Sequence, residues 1–217
     1  MIESVERKII VITNGTAQDM GTNGTTWEWP ADLSPKGLME AKCFADVSQS
    51  SLAGCNIYAC STLPRAAQTL NEIMNQLDCS LAEFDDIIVS KEFWTGHPKK
   101  YLSDSPQDAA EVVLKDPDFA KLEGSRFYQL GIVKIILAKM REKNEGTALC
   151  VSHPVPVSFL LAHAEGVLEV ENAFDSRIRN FEGCEGIILT FVEQSHWPQL
   201  YSIQELRQPI QKDHGPI

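Results

Sequence analysis

Apolar, β-branched runs punctuate the chain at residues 8–13, 56–60, 87–89, 147–151 and 186–192, each short enough to be a strand. Between them, apolar positions recur at helical spacing. Ser34-Pro35 reads as the N-cap and first residue of a helix that carries Leu38, Ala41, Phe44 and Ala45 on one face. Pro64 opens a second helix with Leu70, Ile73, Met74 and Leu77 directed inward, and Ser105-Pro106 opens a third. The segment 125–143 is long and amphipathic and stops near Gly146. This alternation predicts an α/β fold of three layers, α/β/α, around a mainly parallel central sheet, with residues 1–217 forming one domain. In such sheets ligands lie beyond the carboxyl ends of the strands. The turns at Asn14, Ser61 and His153 all fall at those ends. Two loops, 27–30 (Trp-Glu-Trp-Pro) and 94–105, are expected to wall or cover a site or to pack on the surface.

Composition narrows the partners. A net charge of −11 disfavours nucleic acid and anionic membranes, both of which repel an acidic surface. A phosphate pocket remains compatible with it, because local charge can differ in sign from the net charge. The six cysteines include no Cys-x-x-Cys pair and no clustered Cys/His spacing, so neither a metal nor a cofactor is expected. With no secretory apolar segment near Met1, they read as reduced thiols of a cytoplasmic protein. No apolar stretch approaches the ~20 residues that span a bilayer.

The chemistry-bearing segments are Thr13-Asn14-Gly15 at the end of the first strand, Ser61-Thr62-Leu63-Pro64-Arg65-Ala66-Ala67-Gln68-Thr69, and Leu149-Cys150-Val151-Ser152-His153-Pro154. Together and in this order they resemble the histidine phosphatase (phosphoglycerate mutase-like) superfamily. Leu33-Ser34-Pro35-Lys36-Gly37 is similar to that family's Leu-Thr-x-x-Gly helix start. The resemblance implies a phosphoglycerate mutase-like fold. It also implies a nucleophilic histidine in an Arg-His-Gly triplet, where this chain has Thr13-Asn14-Gly15.

Each position can be weighed on its own chemistry. The Asn14 amide nitrogen is delocalised and a poor nucleophile, although its NH₂ can donate to an oxyanion. An Asn before Gly15 also suits a turn. Thr13 stands where the resemblance implies a phosphate-clamping arginine, so a neutral hydroxyl replaces a charged fork. Arg65 matches the family's second phosphate-binding arginine and lies in the first turn of a helix, where the dipole also favours an anion. His153 matches the second histidine, which donates to the phosphoryl group. Glu92 resembles the strand-end glutamate that serves as general acid, with Asp85 and Asp86 as competing carboxylates. The Gly15 turn would add backbone donors. His97, His163, His196 and His214 lack such context and read as surface or packing residues.

These positions imply a catalytically impaired phosphatase-like protein whose pocket, formed by Thr13, Asn14, Gly15, Arg65 and His153, still binds a small phosphorylated molecule or inorganic oxyanion. Two alternatives stand beside it. One is an active phosphomonoester phosphatase or mutase with a substitute mechanism, and the other is a protein-interaction module on the same fold.

Overall fold

The computed structural model describes residues 5–18, 31–78, 88–90, 132–167, 181–193 and 198–207. Ten elements follow in chain order. They are β1 (Val5–Thr13), α1 (Pro35–Leu52), β2 (Ile57–Ser61), α2 (Pro64–Gln76), β3 (Ile88–Ser90), α3 (Ile132–Lys143), β4 (Thr147–Ser152), α4 (Pro154–Val167), β5 (Gly186–Glu193) and β6 (Pro198–Leu206). They build a six-stranded sheet in the order β3-β2-β4-β1-β5-β6. The pairs β2–β3, β2–β4 and β1–β4 are parallel, whereas β1–β5 and β5–β6 are antiparallel. The sheet is thus parallel on the side that carries the candidate site and antiparallel on the other.

Strand alternation sorts the core into two layers. Ile9 and Val11 of β1, Ile57 and Ala59 of β2, and Ala148 and Cys150 of β4 pack with Val133, Ile136 and Met140 of α3 and with Val157 and Leu160 of α4. Their neighbours Ile10, Ile12, Tyr58, Cys60, Leu149 and Val151 face the other way. They pack with Ala41, Phe44 and Ala45 of α1 and Leu70, Ile73 and Met74 of α2. Both faces of the central strands are therefore buried, which explains why β1, β2 and β4 read as unbroken apolar runs. Helices on both faces make three layers.

Helix α1 begins as its sequence predicts. The Ser34 hydroxyl accepts the Gly37 N–H at 3.0 Å and Pro35 occupies the first turn. Two elements carry little signal in the sequence. Helix α4 has apolar positions nearly all round, so its sequence lacks the one-sided periodicity that marks a surface helix. Strand β6 lies at the sheet edge and is mostly half-exposed, so it lacks a buried run.

A buried arginine fastens β1 to the end of α3. Arg7 donates to the carbonyl oxygens of Met140 (3.1 Å) and Glu145 and pairs with Glu193 of β5 (3.3 Å). The expected loops 27–30 and 94–105, the Ser105-Pro106 helix, Glu92, Asp85 and Asp86 lie outside the described residues. So do His97, His196, His214 and the first part of 125–143.

Candidate functional site

Register alone places the first two groups of the site. Thr13 of β1 pairs with Ser152 of β4 in parallel, so the next residues, Asn14 and His153, leave the sheet side by side. The Asn14 N–H donates to the Ser152 carbonyl at 2.9 Å and prolongs the ladder by one step. On the other side of β4, Cys60 pairs with Val151, which puts Ser61 at the same edge. Pro64 then turns the chain into α2 and sets Arg65 in its first turn.

The side chains at this edge are buried and interlocked. His153 Nδ1 lies 2.6 Å from Asn14 Oδ1, and His153 Nε2 lies 2.8 Å from Ser61 Oγ. The Asn14 NH₂ donates to the Gly15 carbonyl at 2.7 Å, which leaves Oδ1 as the atom facing the imidazole. An amide oxygen only accepts, so Nδ1 carries the imidazole proton. Nε2 then presents its lone pair, and the Ser61 hydroxyl donates to it. The Leu63 N–H donates in turn to Ser61 Oγ at 3.3 Å.

Electrostatics agree with a neutral ring. Burial first, and the nearby Arg65 guanidinium second, push the His153 pKa down to about 3. Burial also lowers that of Arg65. Arg65 thus acts on His153 through space, and Asn14, Arg65, His153 and Ser61 form one buried constellation.

Besides the Asn14 NH₂ and the His153 Nδ1–H, two more of the expected phosphate donors are directed to protein acceptors. The Thr13 hydroxyl donates to the Glu182 carbonyl at 2.5 Å, and the Gly15 N–H donates to Thr69 Oγ1 at 3.0 Å. Thr69 in turn donates to the Arg65 carbonyl at 2.7 Å. The next backbone donor, Thr16 N–H, goes to Glu40 Oε2 at 2.7 Å, while the Thr16 hydroxyl donates to Oε1 at 2.9 Å. The backbone and hydroxyl donors at the tip of β1 therefore serve protein acceptors. Gly15 has another role: an added Cβ would lie 2.5 Å from the Gly37 carbonyl oxygen, so the β1 turn and the start of α1 pack backbone to backbone.

Ser61, Thr69 and Glu40 complete the site, although no motif in the sequence assigns them a function. A serine ending a buried strand beside the Arg65 helix was the available signal for Ser61. Nothing local marks Glu40, whose partner is 24 residues away. Gln68 secures the surroundings by accepting from Leu33 N–H and donating to Asp32, both at 2.7 Å.

Among the described residues no group of three His, Cys, Asp or Glu could hold a metal ion. No described helix is long and apolar enough to cross a membrane. Five described cysteines are free, four of them buried, and burial raises the Cys55 and Cys60 thiols to about 11.

Residues 24–196 match the family described as histidine phosphatase superfamily (branch 1), a span that covers well over half of the chain. The chain belongs to the histidine phosphatase superfamily. The matched span begins after β1, so Asn14 lies outside it. No curated protein matches the sequence.

Among solved structures, a mycobacterial glucosyl-3-phosphoglycerate phosphatase complexed with VO3 superposes with a TM-score of 0.59 at 13% identity, covering 89% of this chain and 97% of that one. A phosphoserine phosphatase from Entamoeba histolytica in complex with 3-phosphoglyceric acid gives 0.54 at 19%, covering 93% and 98%. A phosphoglycerate mutase from Bacillus anthracis gives 0.57 at 17%, covering 92% and 93%. These likenesses establish the phosphoglycerate mutase-like α/β fold.

Proposed function

We propose that this superfamily member binds a small phosphorylated molecule or inorganic oxyanion at the Arg65–His153–Asn14 edge and turns phosphate esters over poorly. The observation that carries the reading is Asn14 itself. An amide stands beside His153 at the tip of β1, and its oxygen holds the imidazole Nδ1–H. It supplies no lone pair suited to attack on phosphorus. Arg65, buried in the first turn of α2 and close enough to depress the His153 pKa, is the charged group that favours an anion.

Thr13 and Gly15, with their donors bound to Glu182 and Thr69, hold the turn in shape and make no direct contact with the anion. The ligand class is supported by the phosphorylated ligand and the vanadate named for the similar phosphatases. Glu92 is retained as the proposed general acid of any residual turnover. The buried, free thiols suit a reducing, cytoplasmic setting.

The test compares hydrolysis of p-nitrophenyl phosphate by the wild type, Asn14→His, and Asn14→His combined with Thr13→Arg. Loss of a covalent nucleophile costs roughly 10⁴–10⁶ in rate. The wild type should therefore run near background, and a revertant should rise well above it. Wild-type turnover equal to that of an ordinary phosphatase would overturn the proposal.

A further inference from the structure

The constellation contains a hydroxyl that the preceding reading leaves without chemistry. Ser61 Oγ–H donates to His153 Nε2 at 2.8 Å, and His153 Nδ1–H donates to Asn14 Oδ1 at 2.6 Å. In direction and atom order this is the hydroxyl–imidazole–carbonyl relay that activates serine or cysteine in hydrolases, some of which use asparagine as the third member. An asparagine in that place normally risks the wrong tautomer, and in a serine-protease relay the aspartate-to-asparagine change costs about 10⁴ in rate. Here that risk is removed. The Asn14 NH₂ is committed to the Gly15 carbonyl at 2.7 Å, so only its oxygen can face Nδ1.

We infer that Ser61 is a nucleophile of this site and takes a phosphoryl group from a phosphate monoester, forming phosphoserine. The inference rests on the anion-pocket reading above, because Arg65 is what brings a phosphoryl group to this edge. The α2 N-terminus adds its dipole there, with no side chain capping it.

In the transfer, the Ser61 Oγ–P bond forms and the bond from phosphorus to the leaving oxygen breaks. The Ser61 proton passes to His153 Nε2 and from there to the leaving oxygen. Arg65 stabilises the charge on the equatorial oxygens. A bound phosphate dianion also offsets the Arg65 charge that opposes imidazolium formation. Burial still opposes it in both directions, so transfer to Ser61 is slow, and the return step, in which water attacks phosphorus with His153 as base, must also bring water beside the covered Ser61 and is slower still. The phosphoserine accumulates rather than turning over, which accords with poor catalysis. Ser61 is itself covered. The donor must enter where Asn14 and Arg65 reach solvent, at 8% and 7% exposure.

The experiment incubates the purified full chain with p-nitrophenyl phosphate and, separately, with a fluorophosphonate. Adducts are mapped by mass spectrometry, and vanadate binding is measured in parallel by calorimetry. The expected result is a stoichiometric adduct on Ser61. It should be lost in Ser61→Ala and reduced at least about a hundredfold in rate in Asn14→Ala, where the imidazole loses its orientation. Ser61→Thr keeps the hydroxyl and should keep slow labelling, which guards against a folding artefact in the alanine variant. Vanadate binding without any adduct on wild-type Ser61 would overturn the inference and leave the anion pocket standing. Absence of both would overturn the two together, and an adduct on another residue would likewise reject Ser61.

Discussion

Asn14 Oδ1 and His153 Nδ1 meet at 2.6 Å, and this single contact fixes which face of the imidazole is acidic. Free neutral histidine distributes its proton between two nitrogens, whereas a carbonyl oxygen against Nδ1 permits only one arrangement. The contact exists because Thr13 and Ser152 are paired in register, so the two residues that follow them cannot avoid each other.

Nitrogen-15 NMR of the wild type at neutral pH should show His153 as the Nδ1–H tautomer, with Nε2 unprotonated. Asn14→Ala should release that preference and shift both ring nitrogens towards averaged values. An Nε2–H signal in the wild type would mean that the amide points the other way, and the directions assigned to Ser61 and His153 would then reverse.

The backbone contact between the β1 turn and α1 gives a stability prediction. A Cβ at Gly37 would sit 2.2 Å from the Thr16 carbonyl oxygen, and one at Gly15 would sit 2.5 Å from that of Gly37. Backbone cannot move aside as a flexible side chain can, so Gly37→Ala or Gly15→Ala should cost about 1–3 kcal/mol. At Gly146 an added Cβ meets nothing within 4 Å, so Gly146→Ala serves as the control and should stay within about 0.5 kcal/mol of wild type. Urea denaturation of the three variants decides it.

What the sequence revealed and what it concealed follow from how far each signal reaches along the chain. The buried strands β1, β2 and β4 are legible because both of their faces are covered, which forces continuous apolar runs ending at polar turns. The convergence of Asn14, Ser61 and His153 at one edge follows from parallel pairing, and this too can be anticipated from alternating strands and helices. The fate of individual donors cannot. Whether Thr13 faces a ligand or the Glu182 carbonyl depends on a residue 169 positions away, and the Glu40 carboxylate beneath Thr16 comes from the second turn of α1. Edge strand β6 has no fully buried residue, so it carries no continuous apolar run.

Arg65→Ala should weaken vanadate binding by roughly one to two orders of magnitude, the size expected for a charged hydrogen bond of about 1.5–3 kcal/mol. The same change should raise the His153 pKa, since the guanidinium is the second cause of its depression. Calorimetry and histidine NMR on one sample test both effects. If affinity were unchanged while the pKa rose, Arg65 would be a neighbour of His153 without being an anion ligand.

Acid sensitivity provides the last prediction, and its sign follows from proton uptake on unfolding. In the folded protein His153 titrates near 3, whereas in the unfolded chain it titrates near its ordinary value of 6.5. Between those values the unfolded state binds the extra proton, so stability rises with pH through the window and is fully present above about 6.5. Lowering the pH from 7 to 5 should therefore cost the wild type about 2 kcal/mol from this residue alone, at ~1.36 kcal/mol per unit. His163, whose pKa burial also lowers, adds to the loss with the same sign. Urea midpoints measured at pH 7, 6 and 5 should fall steadily, and His153→Gln should flatten most of that slope while leaving the His163 part. A wild-type slope equal to that of His153→Gln would mean that His153 takes up its proton in the folded state. The imidazole would then be a neutral acceptor for Ser61 only above about pH 6.5.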